Sequence, residues 1–447
     1  MAIPNCVRAA ALVFTLVSSA VSARAQSAMS PEAWRADLRF AVDSFLPRDR
    51  SFSDAARARF RAAVGALADS ADRLSNEEMT VGLARAVALA ENAHTRLYLV
   101  RNRSEVRRLP VRIWWFADGP FVVRAQPGYE ALLGARLLRI CGRPLDEVRR
   151  AVRPLYSGSG AWADYMAAYT MTSPEVLAGV RICPAGAAPT FAFVDRAGRR
   201  GERTLEPLPL RRSTDATEAW WDLAPAHPGV QGPWVSALAA DSAALPLYLR
   251  DPVHQYWARY LPRDRTLYVQ YNRAGDQAGM ESFRAFGRRL LAQADSLRPA
   301  KIVFDLRFNT GGNFYVAEGV LRRLAALARE RHARLFVITG PATFSAGIFH
   351  VAQLRQFGGA TLVGEGPGDA AEFWAEGGNL LMPRSRLTLH YGNWMHSYAR
   401  VKPSAEREFR YMDLYVDRIT PEIRTPLTSR DYFAGRDPAL DAILRQR

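Results

Sequence analysis

From Thr266 onward the chain alternates between two kinds of segment. "TLYVQYN", "KIVFDLR", "RLFVITG" and "ATLVGEG" are short apolar runs rich in branched and aromatic residues, and three longer stretches of helical period separate them, "MESFRAFGRRLLAQADSL", "FYVAEGVLRRLAALARERHA" and "SAGIFHVAQLRQFG". Short runs with no polar face are strands buried on both sides. Strands that alternate with helices form a largely parallel sheet, with the helices packed outside it. The fold class is therefore α/β. In such sheets ligands bind beyond the carboxyl ends of the strands, and two strand ends stand out: "DLRFNTGGN" (Asp305 to Asn313) and "GPATFSAG" (Gly340 to Gly347).

The segments before this sheet have other patterns. The first 25 residues carry one early charge at Arg8, an apolar run from Ala9 to Val17 and a small-x-small site at Ala23-Arg24-Ala25, which predicts a secretory signal peptide and an exported protein. No later segment approaches the roughly 20 apolar residues of a membrane helix, so no integral membrane segment is expected. Residues 26–104 read as an N-terminal helical domain, whose last helix opens with the capping box Ser75-x-x-Glu78. Residues 105–212 read as short strands with hairpins at Asp118-Gly119-Pro120 and Ala197-Gly198, around the strand-turn-helix "GARLLRICGRPLDEVRRAV". A polar, Pro-containing passage, 213–252, reads as a linker or irregular lobe, and the alternating core occupies 253–447.

The 447 residues carry a formal net charge of +16, and Lys301 and Lys402 are the only lysines. The arginines are spread along the chain rather than gathered into a basic block with aromatics, which argues for a solvated basic surface and against nucleic acid as a partner. Cys141 and Cys183 follow the signal segment, and an exported compartment permits a disulfide between them. No Cys/His spacing suggests zinc, and no metal or cofactor is expected.

Ser345 sits at the turn from the strand "LFVI" into an apolar helix. Its hydroxyl has two readings: a helix cap, or a nucleophile on a strand-turn-helix corner where the helix N-terminus favours developing negative charge. Gly311-Gly312 likewise reads either as a tight turn or as a place where backbone N–H groups approach a reacting oxygen. A serine nucleophile needs such donors, and Gly312 with Ala346 would supply them. Gly311, Asp305, Arg307 and Asn309 would support that loop, with Arg307 bonding carbonyls.

Taken together, "KIVFDLRFNTGGN", "VITGPATFSAGIFHVAQL", "TLVGE" and the closing "DYFAGRDPALDAIL" resemble the tail-specific or C-terminal processing peptidases, with the tricorn core and the interphotoreceptor retinoid-binding protein as relatives. "GARLLRICGRPLDEVRRAV" resembles the PDZ-like domain of that family, and "NAHTRLYLV" the Asp-Gly-His-Thr segment ahead of it in the tricorn-like branch. The resemblance covers most of the chain past residue 25. It implies a ClpP/crotonase-like catalytic core with a PDZ-like insert, an acyl-enzyme on Ser345, and an oxyanion hole at Gly312 and Ala346. The substrate it implies is a peptide or unfolded protein.

One branch of the family activates its serine with a lysine about two dozen residues on, but "GEGPGDAAEFWAEGG" has none, and neither Lys301 nor Lys402 fits. The other branch uses a histidine, and His94 matches it; an imidazole titrating near neutrality takes and returns the serine proton. His350, on the helix after Ser345, is rotated away from it. The carboxylate that orients His94 is expected near the C-terminus, at Asp417 or Asp413, with Glu376 as a further candidate. The competing function is an inactive ligand- or peptide-binding protein on the same scaffold, with Trp114, Trp115, Trp374 and Trp394 lining an apolar pocket.

Overall fold

The computed structural model describes residues 29–99, 106–210, 223–226, 232–239, 244–399, 409–410 and 414–446. The expected signal segment, Asp413, Lys402 and most of 213–243 lie outside them. Four strands of the alternating region pair in parallel: Thr266–Tyr271, Lys301–Asp305, Arg334–Thr339 and Thr361–Gly364. Two strands that the sequence pattern did not suggest complete a six-stranded sheet. Tyr256–Leu261 runs antiparallel along one edge, and Ile423–Arg424, from the tail, closes the other.

Side chains that alternate along these strands serve two cores. Ile302, Phe304, Val337 and Leu362 point toward the helices Phe283–Leu297, Tyr315–Glu330 and Ala346–Gly358, meeting Leu290, Leu324 and Val351. Val303, Phe336, Ile338 and Val363 point the other way, against Leu440 and Ile443 of the last helix, Pro438–Leu444. Both faces are covered, so the strands have no polar face, which is why they read as continuous apolar runs.

Toward the N-terminus lie the helices Pro31–Phe40, Asp54–Asp69 and Asn76–Ala88, the last opening with the Ser75–Glu78 capping box. Their apolar residues join one cluster with a second sheet, which runs Val111–Phe116, Gly119–Ala125, Arg136–Ile140, Thr190–Val194 and Arg200–Thr204. Cys141 and Cys183 are disulfide-bonded within this unit, with Cα atoms 5.4 Å apart.

Past Gly364 the chain builds two small three-stranded sheets. In one, Glu372–Ala375 pairs with Trp394–Ser397 and that with Phe409–Arg410. In the other, Thr388–Tyr391 lies between Gly378–Leu381 and the two-residue strand Arg96–Leu97, with Arg96 opposite His390. This last pairing carries the N-terminal segment across to the mouth of the parallel sheet. His94 arrives there with it.

Candidate active site

The carboxyl ends of Lys301–Asp305 and Arg334–Thr339 are neighbours, and their loops are tied by short bonds. Thr343 Oγ1 donates to Leu306 O at 2.8 Å and accepts from Gly340 N at 2.9 Å, while Phe344 N donates to Asn309 O at 2.9 Å. Asn309 is fully buried; its amide donates to Tyr271 O at 2.8 Å and its carbonyl oxygen accepts from Gly311 N at 3.0 Å. A side chain on Gly311 would place its Cβ 2.6 Å from Ser345 Cβ, and one on Gly312 would lie 1.9 Å from Ala274 O. Both glycines have positive φ, so the double-Gly turn is required by contact as well as by backbone.

Arg307 differs from expectation. Among the described residues it bonds no carbonyl; its guanidinium meets the carboxylates of Asp305 at 3.0 Å and Asp437 at 2.8 and 3.0 Å, and stacks over Tyr248. It fastens the loop to the last helix, whose N-terminus Asp437 also caps.

Ser345 precedes the helix Ala346–Gly358 with φ 55° and ψ −121°, and its side chain makes no capping bond. The cap reading therefore fails. A non-glycine residue in this region of φ is strained, a feature that clusters at functional positions. Gly312 pairs with Ala274 as a parallel bridge, through Gly311 O and Asn313 N. That register turns Gly312's own N–H away from Ala274. Neither it nor Ala346 N donates to an acceptor among the described residues.

His94 reaches the site through its neighbours. The side-chain amide of Asn92 holds the Trp374 backbone, Nδ2 donating to its carbonyl at 3.0 Å and Oδ1 accepting from its N–H at 3.1 Å. Thr95 Oγ1 donates to the buried Asp49 at 2.6 Å. The imidazole lies between the rings of Phe344 and Phe373, at 4.2 and 5.1 Å, and Trp162 stacks on Phe344 in turn. It is buried, and neither ring nitrogen has a hydrogen-bond partner. Burial, then the charges of Arg96 and His396, push its pKa well below the ordinary value, with Glu376 pulling the other way.

Ser345, His94, Gly312 and Ala346 line one cavity of about 300 Å³. Its aromatic wall is Tyr98, Phe314, Phe344, Phe373 and Tyr398; none of the four tryptophans singled out in the sequence lines it. His350 is fully buried elsewhere, against Tyr271 and Phe349, and burial pushes its pKa down to about 3.

The acidic partner is corrected. Asp417 lies at the far end of the helix that begins after Ser345, with a half-exposed side chain 3.4 Å from Arg355, and does not reach the cavity. Glu376 does line the cavity, but it pairs with His396 at 3.2 Å. The carboxylate beside His94 is Asp369, whose Oδ2 is 3.8 Å from Nδ1. Its other oxygen accepts from Ala370 N at 2.9 Å, and burial raises its pKa to about 7. Since burial keeps His94 neutral, the contact is not an ion pair in the resting state. The Asp369 loop is braced by Ser159, which donates to Pro367 O at 2.8 Å, and by Gly368 N, which donates to Thr343 O at 2.8 Å. Asp369 lies in the stretch searched for a lysine, where an Asp among glycines and alanines gives no signal beyond a turn.

Among the described residues no helix is long and apolar enough to cross a membrane, and no cluster of His, Cys, Asp and Glu suits a metal ion. No family model matches the sequence, and no curated protein matches it. Among solved structures, mature CPAF complexed with lactacystin superposes with a TM-score of 0.62 at 13% identity, covering 93% of this chain and 98% of that one. A further structure of mature CPAF gives 0.60 at 13%, covering 93% and 97%. The photosystem II D1 C-terminal processing protease covers 93% and 96% at 11% identity, but its TM-score of 0.38 is too low to argue from. At these identities the likeness is one of architecture. The chain has the mixed α/β fold of mature CPAF.

Proposed function

We propose that this chain is a serine peptidase of the tail-specific family, exported, with Ser345 as nucleophile, His94 as general base and Asp369 as the carboxylate that orients it. In this reading residues 253–447 are a ClpP/crotonase-like core and 105–212 a PDZ-like insert. One observation carries it: a strained, uncapped serine and a partnerless buried histidine, distant in sequence, share a cavity with two unused backbone N–H groups.

The chemistry follows from the placement. With Nδ1 toward Asp369, Nε2 is left for the serine. His94 takes the Ser345 proton as Oγ attacks a peptide carbonyl, and the N–H groups of Gly312 and Ala346 hold the oxyanion. His94 then gives that proton to the leaving amine, and water repeats the sequence on the acyl ester. Imidazolium formation is costly inside a ring stack, and the nearby Asp369 carboxylate offsets that cost where the charge appears.

The test is covalent. A fluorophosphonate should label the wild type at Ser345 and leave Ser345→Ala unlabelled, and lactacystin, the ligand described for CPAF, should compete with it. Labelling that survives in Ser345→Ala would reassign the nucleophile, and no labelling of the wild type at any pH would end the peptidase reading.

A further inference from the structure

Arg96 takes no part in the proton transfers above, and its charge opposes imidazolium formation on His94. Its guanidinium lines the cavity that holds Ser345 and sits 5.2 to 5.8 Å from the ring centroids of Tyr98, Trp162 and Phe344. Among the described residues its guanidinium makes one hydrogen bond, a long one of 3.3 Å to Ala93 O, and its buried Nε has no acceptor. No carboxylate among the described residues lies within ion-pair distance of it. Its charge does pull the Asp369 carboxyl toward its ionised form, but burial outweighs that pull and holds the pKa at about 7. A cation placed near a general base lowers that base's proton affinity, and Arg96 does so for His94. Such a charge is retained where something else neutralises it during turnover.

We propose that Arg96 binds a carboxylate on the substrate, and that the enzyme thereby selects peptides with an acidic side chain close to the cleaved bond. The inference rests on the peptidase reading and adds its substrate class. Arginine suits this role because its planar fork binds a carboxylate through two parallel hydrogen bonds, and its flat face already rests on aromatic rings. The cavity agrees: a second arginine, Arg273, lines it, and its one lining carboxylate, Glu376, is occupied by His396. The net charge of +16 adds a long-range field that draws acidic chains toward the protein.

Occupancy also affects the base. His94 faces Arg96 beside it, Asp369 at Nδ1, and Glu376 and His396 across the ring of Phe373. A substrate carboxylate on Arg96 cancels a charge that opposes imidazolium formation, so the correct substrate restores basicity as it binds. Binding and activation are then the same event.

Matched fluorogenic peptides carrying Glu or Gln at each position around the scissile bond test this. At one position the wild type should prefer Glu by about ten- to a hundredfold in kcat/KM, the range of a charge-assisted hydrogen bond. Ser345→Ala, which cannot turn over, should bind the Glu peptide more tightly by a similar factor. Arg96→Gln should bring both ratios to about one, and Arg96→Lys should keep part of them. Equal ratios in the wild type, or a preference unchanged in Arg96→Gln, overturn the proposal. A preference abolished by amidating the peptide's C-terminus would move recognition to the chain end and overturn the side-chain assignment. Should Arg96→Gln not fold, the wild-type ratio and its decline with added salt decide. If the wild type cleaves nothing while Ser345→Ala still prefers Glu, the peptidase reading fails and the carboxylate site stands.

Discussion

Replacing Asp369 with Asn separates function from stability in a way few substitutions do. Asp369 is buried, and its pKa rises from 3.8 to about 7 on folding, chiefly through desolvation. Between these values the folded protein binds a proton that the unfolded chain does not, so stability is full below pH 3.8 and is lost as pH rises through about 7. At about 1.36 kcal/mol per pH unit, the gap amounts to roughly 4 kcal/mol at pH 8. Asn has the same shape and no charge to bury. Asp369→Asn should therefore match the wild type near pH 3.5 and become progressively more stable than it up to about pH 8. Its activity should move the opposite way. An amide cannot stabilise the imidazolium, and kcat should fall by about 10²- to 10⁴-fold with little change in KM. Thermal or urea unfolding from pH 4 to 8, with parallel steady-state kinetics, reads both. An Asn variant that is less stable than the wild type at pH 8, or as active, would refute the assignment of Asp369 as a buried orienting carboxylate.

Other expectations follow from the same geometry. In kcat/KM the acid limb should have two steps, a fall of about 10²- to 10⁴-fold near pH 7 as Asp369 takes a proton and the loss of the remainder below pH 6.5, where the depressed His94 does; the first step should vanish in Asp369→Asn. A single limb centred at or above 6.5 that persists in the variant contradicts this. Ser345→Gly should be more stable than Ser345→Ala by about 1 kcal/mol, because glycine accepts φ 55° without strain; urea midpoints of the two inactive variants decide. Asp437→Asn should cost about 3 kcal/mol, since it takes one carboxylate from a buried arginine and alters the cap of the last helix. A loss below about 1 kcal/mol would mean that Asp305 alone satisfies Arg307.

The parallel sheet was readable from sequence because burial on both faces leaves continuous apolar strands between amphipathic helices, a pattern that needs no tertiary information. The four-residue strands between Glu372 and Ser397 were not. They mix polar and apolar residues, and their pairing is set by contacts with Asn92 and Arg96, far away in the chain. Arg307 was misread for a related reason. In sequence its neighbours are loop residues that offer carbonyls, whereas one of its two carboxylate partners, Asp437, comes from the last helix.

The same logic divides the site. Ser345, Gly311 and Gly312 lie on loops whose form is local: each needs a particular backbone, and short motifs encode backbone. Asp369 needs only to be carried to the right place. What carries it is the bond from its neighbour Gly368 to Thr343, the brace from Ser159 and the ring column of Trp162, Phe344 and His94, and all of these partners are far from it in sequence. A carboxylate near the C-terminus was the natural expectation because the family resemblance supplied one there, and Asp417 met it by position while facing Arg355 and not the cavity. Position in a motif identifies groups that act through the backbone. Groups that act through burial, such as Asp369 and Arg96, become visible only once their surroundings are assembled, because the missing partners that mark them are properties of the assembled cavity.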